Sequence, residues 1–376
     1  MHLCAVDFTM RQFIAPLALA QQRAGYEVLC ACAPGPHWNE LKSMGLTMLP
    51  IRIERTASPL SAIRSVLEIA YLLRDHMPDI IHVHTPIASM IGRLGAFVAR
   101  MPCVVYTVHG FYFHDRMSRP RRFFHIALER IFAPLTDYVF CVSKEDHATA
   151  LRLHIGRRRR TFYVGNGANP ARFCPTLREK RGEIRAQFSI PDDAIVITIV
   201  GRLVHAKGFA EFFAAAKILA ARFPAAHFLV IGDTPTSEHD DAKRDVLRLA
   251  DGLPAGRVHF LGMRNDVERL LAASDIFCLP SHREGLPVSV IEAMMMALPI
   301  VATRIRGCRE LIRDRVDGLL VEPRDARQLA KALTTLIERP ALAKKLGDNA
   351  RKRALVHFNE EKVLARQLRI CGRILS

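Results

Sequence analysis

Short apolar runs rich in valine and isoleucine alternate with amphipathic stretches along almost the whole chain. The runs predict strands at residues 3–6, 27–32, 80–84, 104–109, 138–142 and 162–164, and a second set at 195–200, 227–231, 258–261, 276–279, 300–302 and 319–321. Between them, apolar residues recur at helical spacing. Phe13, Leu17, Ala20 and Ala24 share one predicted face, and Ile63, Val66, Leu67, Ala70 and Leu73 share another. Strands that alternate with helices imply parallel sheets covered on both faces. Residues 360–375, with Val363, Leu364, Leu368 and Ile374, predict a terminal helix.

The two strand sets are separated by residues 165–193, which carry an Asn-Gly pair and a dense charge mixture of Arg178, Glu179, Lys180, Arg181, Glu183 and Arg185. Such composition is poor core material. The expected fold is therefore α/β, with two Rossmann-like doubly wound domains facing a central cleft. The first domain is expected over residues 1–170 and the second over 171–358. Residues 359–376 then form a C-terminal helix that packs back on the first domain.

Composition narrows the class. Hydrophobic residues make up 50% and charged residues 24% of the 376, enough apolar content for real cores and far from a disordered tail. No apolar run approaches the ~20 residues of a membrane span, and no secretory signal is expected. The short first strand points to a true start upstream. Nine cysteines are scattered without a C-x-x-C pair, which reads as reduced thiols in the cytoplasm with no zinc site. His82 and His84, on one predicted strand, read as one facing in and one out, with nothing to complete a metal site. The net charge of +17 favours anionic partners: nucleic acid, lipid headgroups or phosphorylated small molecules.

Two segments carry candidate chemistry. The first runs from Pro280 through Glu284, Gly285, Leu286, Pro287 and Val288 to Glu292, directly after a predicted strand. Gly285 suits a tight bend and Pro287 a first helical turn, so Glu284 falls in a strand-to-helix turn and Glu292 about one and a half turns inside the helix. The helix start offers free amides and a positive dipole end to a pyrophosphate. The second segment, Gly201-Arg202 to Lys207-Gly208, places a planar cationic fork and a mobile point charge in a glycine-framed turn. No G-x-G-x-x-G and no Walker lysine appears, which argues against a dinucleotide oxidoreductase or a P-loop ATPase.

In these segments the chain resembles retaining glycosyltransferases of family 4, which have the GT-B fold. The likeness rests on Gly201-Arg202, Lys207-Gly208, Ile231-Gly232-Asp233, the run from Val258 to Gly262 and, above all, the E-x7-E segment from Glu284 to Thr303. Asn166-Gly167 and Arg172-Phe173 match the family's connector, and the run from Arg306 to Glu310 matches a subset that builds polysaccharide repeat units. The resemblance implies that Arg202 and Lys207 bind the donor diphosphate and steady the departing nucleotide. Glu292 would accept the ribose hydroxyls. Glu284, with the backbone of Gly285, Leu286, Pro287 and Val288, would hold the donor sugar, and His109, at a strand end, would contact it near the reacting carbon. The chain departs from the family at Val6–Arg11, where many members have a glycine-rich loop, at Thr234, and at Ala297, where glycine often follows the methionines.

The resemblance thus implies a metal-independent hexosyltransferase with no resident cofactor and a nucleoside-diphosphate sugar, expected to be a UDP-sugar, as co-substrate. The expected acceptor is a polyprenyl-diphosphate-linked saccharide. Arg116, Arg119, Arg121 and Arg122 before Phe123 and Phe124, and a second cluster at Arg157 to Arg160, suit an anionic membrane surface and a peripheral place on the cytosolic face of the inner membrane. Alternatively, Phe123, Phe124, Ala127, Leu128 and Ile131 form the core face of an ordinary helix. Nucleic acid is not an expected partner, since no RNP, KH or zinc-finger pattern is present. A nucleotide-sugar epimerase and a non-enzymatic RNA- or lipid-binding protein are the alternative classes.

Overall fold

A computed structural model of the chain describes residues 1–53, 59–114, 117–234 and 241–375. It divides into two compact units, Met1–Gly165 with Lys362–Ser376, and Asn166–Glu361.

The first unit is built on β1 (His2–Val6), β2 (Leu29–Ala33), β3 (Thr47–Pro50), β4 (Ile81–His84), β5 (Val104–Val108), β6 (Tyr138–Cys141) and β7 (Thr161–Tyr163). They form one parallel sheet in the order β3-β2-β1-β4-β5-β6-β7. Strand β3 had no sequence signal. Of its four residues only Met48 is buried, and Pro50 is tolerated because this is an edge strand. One face of the sheet packs Leu3, Ala31, Val83, Tyr106 and Val139, and the other packs Cys4, Cys30 and Cys32 against Met10 and Ile14. This two-sided burial makes parallel strands read as continuous apolar runs.

The second unit holds β8 (Ile195–Val200), β9 (Ala226–Ile231), β10 (Val258–Phe260), β11 (Ile276–Leu279), β12 (Ile300–Thr303) and β13 (Leu319–Val321), ordered β10-β9-β8-β11-β12-β13 and all parallel. The core gathers Ile197, Ile199, Phe212, Phe213, Phe228, Val230 and Cys278. One charged residue of the connector departs from what its composition implies. Arg185 is fully buried, donating to Asp275 at 2.8 Å and to the carbonyls of Asp192, Ala194 and Ala273. A buried charge of this kind persists only when each of its donors finds an acceptor.

Helix faces also differ from expectation. Ile63 and Leu67 are each 57% exposed, while Ile69, Ala70 and Leu73 are buried, so the inward stripe lies further round the helix Pro59–His76. Phe13 is 40% exposed because it sits in a π-helical turn, Met10–Ile14, that shifts the helical register before Leu17 and Ala20 reach the core. In the segment Val6–Arg11, Asp7 is buried and its carboxylate accepts the amides of Phe8 at 2.8 Å and His37 at 2.6 Å.

Candidate functional site

In each sheet the strand order reverses at one point, between β1 and β4 in the first and between β8 and β11 in the second. Ligands of doubly wound sheets bind beyond the carboxyl ends of the strands at such points. Arg202 follows β8, Glu284 follows β11, and His109 follows β5, beside the first sheet's reversal.

In the second unit, the loops after β8 and β11 are pressed together. Gly208 (φ +76°) lies so close to the Pro280 carbonyl that a Cβ there would stand 2.0 Å from the oxygen, and the His282 amide donates to the Ala206 carbonyl at 2.8 Å. Across this seam Lys207 Nζ donates to Glu284 Oε1 at 2.6 Å, with both side chains mostly shielded from water. Arg202 leaves the same strand end, half-buried, in a loop that the Gly201 amide ties to Ile231. The Gly285 turn is backed by Gly307 (φ +81°), whose Cβ would fall 2.0 Å from the Gly285 carbonyl. Leu286 is buried and its carbonyl accepts from Asn166 Nδ2 at 2.9 Å. Pro287 then caps the helix Val288–Met295, whose positive end therefore lies at the Glu284 turn.

Glu292 lies deeper on that helix, 9% exposed. Burial pushes its carboxyl up to about 7, against the pull of Arg172. Arg172 was noted in the sequence only as part of the connector match. Here it donates to Glu268 at 2.8 Å and to the Asn265 carbonyl at 2.7 Å, and its charge acts on Glu292. The connector match was the one signal that could have marked it.

His109 belongs to the first unit and stands at the end of a chain of side chains. Gln21 Oε1 can only accept, so His2 Nε2 donates to it at 2.6 Å. His84 Nε2 then donates to His2 Nδ1 and His109 Nε2 to His84 Nδ1, each at 3.1 Å. This order leaves His109 Nδ1 a bare acceptor, buried and without a hydrogen-bond partner. Burial holds His109 and His2 down at about 4 and His84 well below its ordinary value, so the chain is neutral at physiological pH. The expectation that His82 and His84 face opposite sides is wrong. Residues two apart on a strand share a face, and the two rings stack at 4.3 Å with His2 beside them.

The helix Arg119–Phe132 buries Glu129 and not its aromatics. Phe123 is 74%, Phe124 61% and Ile131 69% exposed, which removes the reading of these residues as a core face. Glu129 is held inward by buried Arg93 at 3.5 Å and by the Tyr106 hydroxyl at 3.2 Å. Arg157 to Arg160 are exposed, and Arg116 lies outside the described residues.

Two doubly wound parallel sheets in one chain, with cations and a helix start gathered at the switch point of the second, define the GT-B class of α/β protein. Residues 9–167 match the model of the glycosyl transferase 4-like domain and residues 180–353 that of glycosyl transferases group 1. The chain belongs to the GT4 family of glycosyltransferases. It is 29% identical over 308 residues (81% of this chain, 78% of the relative) to the UDP-Gal:alpha-D-GlcNAc-diphosphoundecaprenol alpha-1,3-galactosyltransferase of Escherichia coli. It is 26% identical over 371 residues (97% and 96%) to the N,N'-diacetylbacillosaminyl-diphospho-undecaprenol alpha-1,3-N-acetylgalactosaminyltransferase of Campylobacter jejuni. Its fold is similar to that of Anabaena HepE, solved with UDP-glucose, with a TM-score of 0.80 at 22% identity and 96% coverage of each chain.

Proposed function

We propose that the protein is a retaining hexosyltransferase that moves a sugar from a UDP-sugar to a polyprenyl-diphosphate-linked saccharide in surface polysaccharide assembly. The observation that carries this reading is the Lys207–Glu284 seam at the second sheet's switch point, with Arg202 on the same loop and a helix start beside it. Each charge-assisted hydrogen bond to a phosphate oxygen is worth about 1.5–3 kcal/mol, so Lys207, Arg202 and the first-turn amides together hold a diphosphate without a divalent ion. Glu292, once ionised, accepts the ribose hydroxyls. Glu284 and the Gly285–Val288 backbone hold the sugar, and the bare Nδ1 of His109 accepts a sugar hydroxyl.

Among these residues none is a placed protein nucleophile, so transfer proceeds on one face of the sugar. The anomeric bond to the β-phosphate oxygen breaks as the acceptor hydroxyl adds on the same side, and the hydroxyl proton passes to the departing phosphate. Lys207 and Arg202 neutralise the charge that grows there. The names of the Escherichia coli and Campylobacter jejuni relatives, both of which specify diphosphoundecaprenol-linked saccharides, support the acceptor class, and the former name supports a UDP-sugar. The exposed Phe123, Phe124 and Ile131, with Arg119, Arg121 and Arg122 on the same helix, support work at an anionic membrane face. No helix among the described residues is long and apolar enough to cross a membrane.

The test is UDP release from a panel of UDP-sugars with and without undecaprenyl-diphosphate-linked saccharides, in the presence of EDTA. The reading expects release from one donor with EDTA present, dependent on acceptor, with the anomeric configuration kept. An altered sugar nucleotide formed without acceptor would establish an epimerase instead.

A further inference from the structure

We propose that His2, His82 and His84 form a binding site for a borderline divalent transition-metal ion of the zinc class, within the first unit and separate from the diphosphate loop. His82 and His84 are two apart on β4, and His2 stands beside His82 in the register of β1 with β4, so all three imidazoles occupy one patch of one sheet face. They are 3%, 4% and 2% exposed, and one ligand nitrogen from each lies within 4.8 Å of the others.

Three further observations fit a metal. The first is separation: His2 Nδ1 and His84 Nε2 are 3.1 Å apart, near the roughly 3.3 Å between two ligands of a tetrahedral ion with bonds of about 2.0–2.1 Å. The second is support. His2 is braced through Nε2 by Gln21 at 2.6 Å, His82 through Nε2 by Thr107 at 2.6 Å, and His84 through Nδ1 by His109 at 3.1 Å. Metal-binding histidines are commonly oriented in this way by a partner on the other nitrogen. The third is access, because a cavity of about 200 Å³ reaches two of the three histidines, His2 and His82, and is lined beside them by Gln21, Val105 and Cys371.

A donor set of neutral imidazoles without a carboxylate selects zinc, nickel or copper over magnesium or calcium. The ion takes the place of the hydrogen that His84 Nε2 lends to His2. The His84 proton then resides on Nδ1 and is donated to His109 Nε2, and the His109 hydrogen moves to Nδ1. Metal loading thus turns His109 from an acceptor into a donor.

The test is titration of the tag-free, EDTA-treated full chain with ZnCl2 by calorimetry, together with the visible spectrum of its Co2+ complex. One equivalent of zinc and a tetrahedral Co2+ spectrum are expected. His82→Asn and His2→Asn should weaken binding at least ~100-fold, and Gln21→Leu about 10–100-fold, with cooperative melting retained as the control for folding. Uptake below one equivalent by the wild-type chain, or undiminished affinity in a folded His82→Asn protein, would overturn the proposal. The Co2+ spectrum needs no variant and decides the case if substitution unfolds the unit.

Discussion

Lys207 Nζ stands 2.6 Å from Glu284 Oε1, so the lysine proposed to grip a diphosphate is held by a carboxylate before any donor arrives. Phosphate oxygens must displace that carboxylate, which is then free for the sugar. Glu284→Gln should therefore leave UDP affinity unchanged or raise it by up to about tenfold, while kcat with the sugar donor falls about 100-fold, the size of one lost charge-assisted contact in the transition state. Calorimetry with UDP and steady-state transfer separate the two effects. Weaker UDP binding in the variant would mean that Glu284 props the lysine in place.

Glu292 carries a pH signature. In the folded chain its carboxyl is raised from 4.5 to about 7 by burial, so between those values the folded state keeps a proton that the unfolded chain has lost. Stability from this group is greatest below about pH 4.5, falls as pH rises to about 7, and stays reduced above it, by up to about 3 kcal/mol. Glu292→Gln should melt with wild type at pH 4 and several degrees above it at pH 8, yet bind UDP more weakly at pH 8. A melting difference that is the same at both pH values would contradict the assignment.

Ala297 adopts φ +55° at the end of the helix Val288–Met295, and Gly347 is seated against it, where a Cβ would lie 2.2 Å from the Ala297 carbonyl. A left-handed alanine costs about 1–2 kcal/mol, partly offset by the extra unfolded-state freedom of a glycine. Ala297→Gly should raise the melting temperature by a degree or two, and Gly347→Ala should lower it, as differential scanning calorimetry can measure.

Phe123 and Phe124 are exposed on a helix that carries Arg119, Arg121 and Arg122. Phe123→Glu/Phe124→Glu should abolish co-sedimentation with vesicles rich in phosphatidylglycerol while leaving UDP binding intact. Wild-type protein that stays in the supernatant would remove the membrane assignment.

Much of the fold was legible because parallel strands buried on both faces leave continuous apolar runs, as Ile195–Val200 and Ile276–Leu279 show. What escaped has local causes. Strand β3 is a four-residue edge with one buried side chain, so no period could form. Arg185 looked like surface because its acceptors, Asp275 and four carbonyls, come from distant or irregular backbone that composition does not display. The loop pairing of Lys207 with Glu284 spans 77 positions, so each residue was legible and their contact was not. The histidine patch was missed through a misread strand period at His82 and His84, and because His2 reaches it from another strand.

The most direct measurement is UDP affinity of the Arg202→Ala/Lys207→Ala protein beside wild type, with circular dichroism as the control for folding. Loss of two charge-assisted contacts, each about 1.5–3 kcal/mol, should weaken binding by at least about 100-fold in a chain that still melts cooperatively. A folded double variant that binds UDP as tightly as wild type would contradict the account.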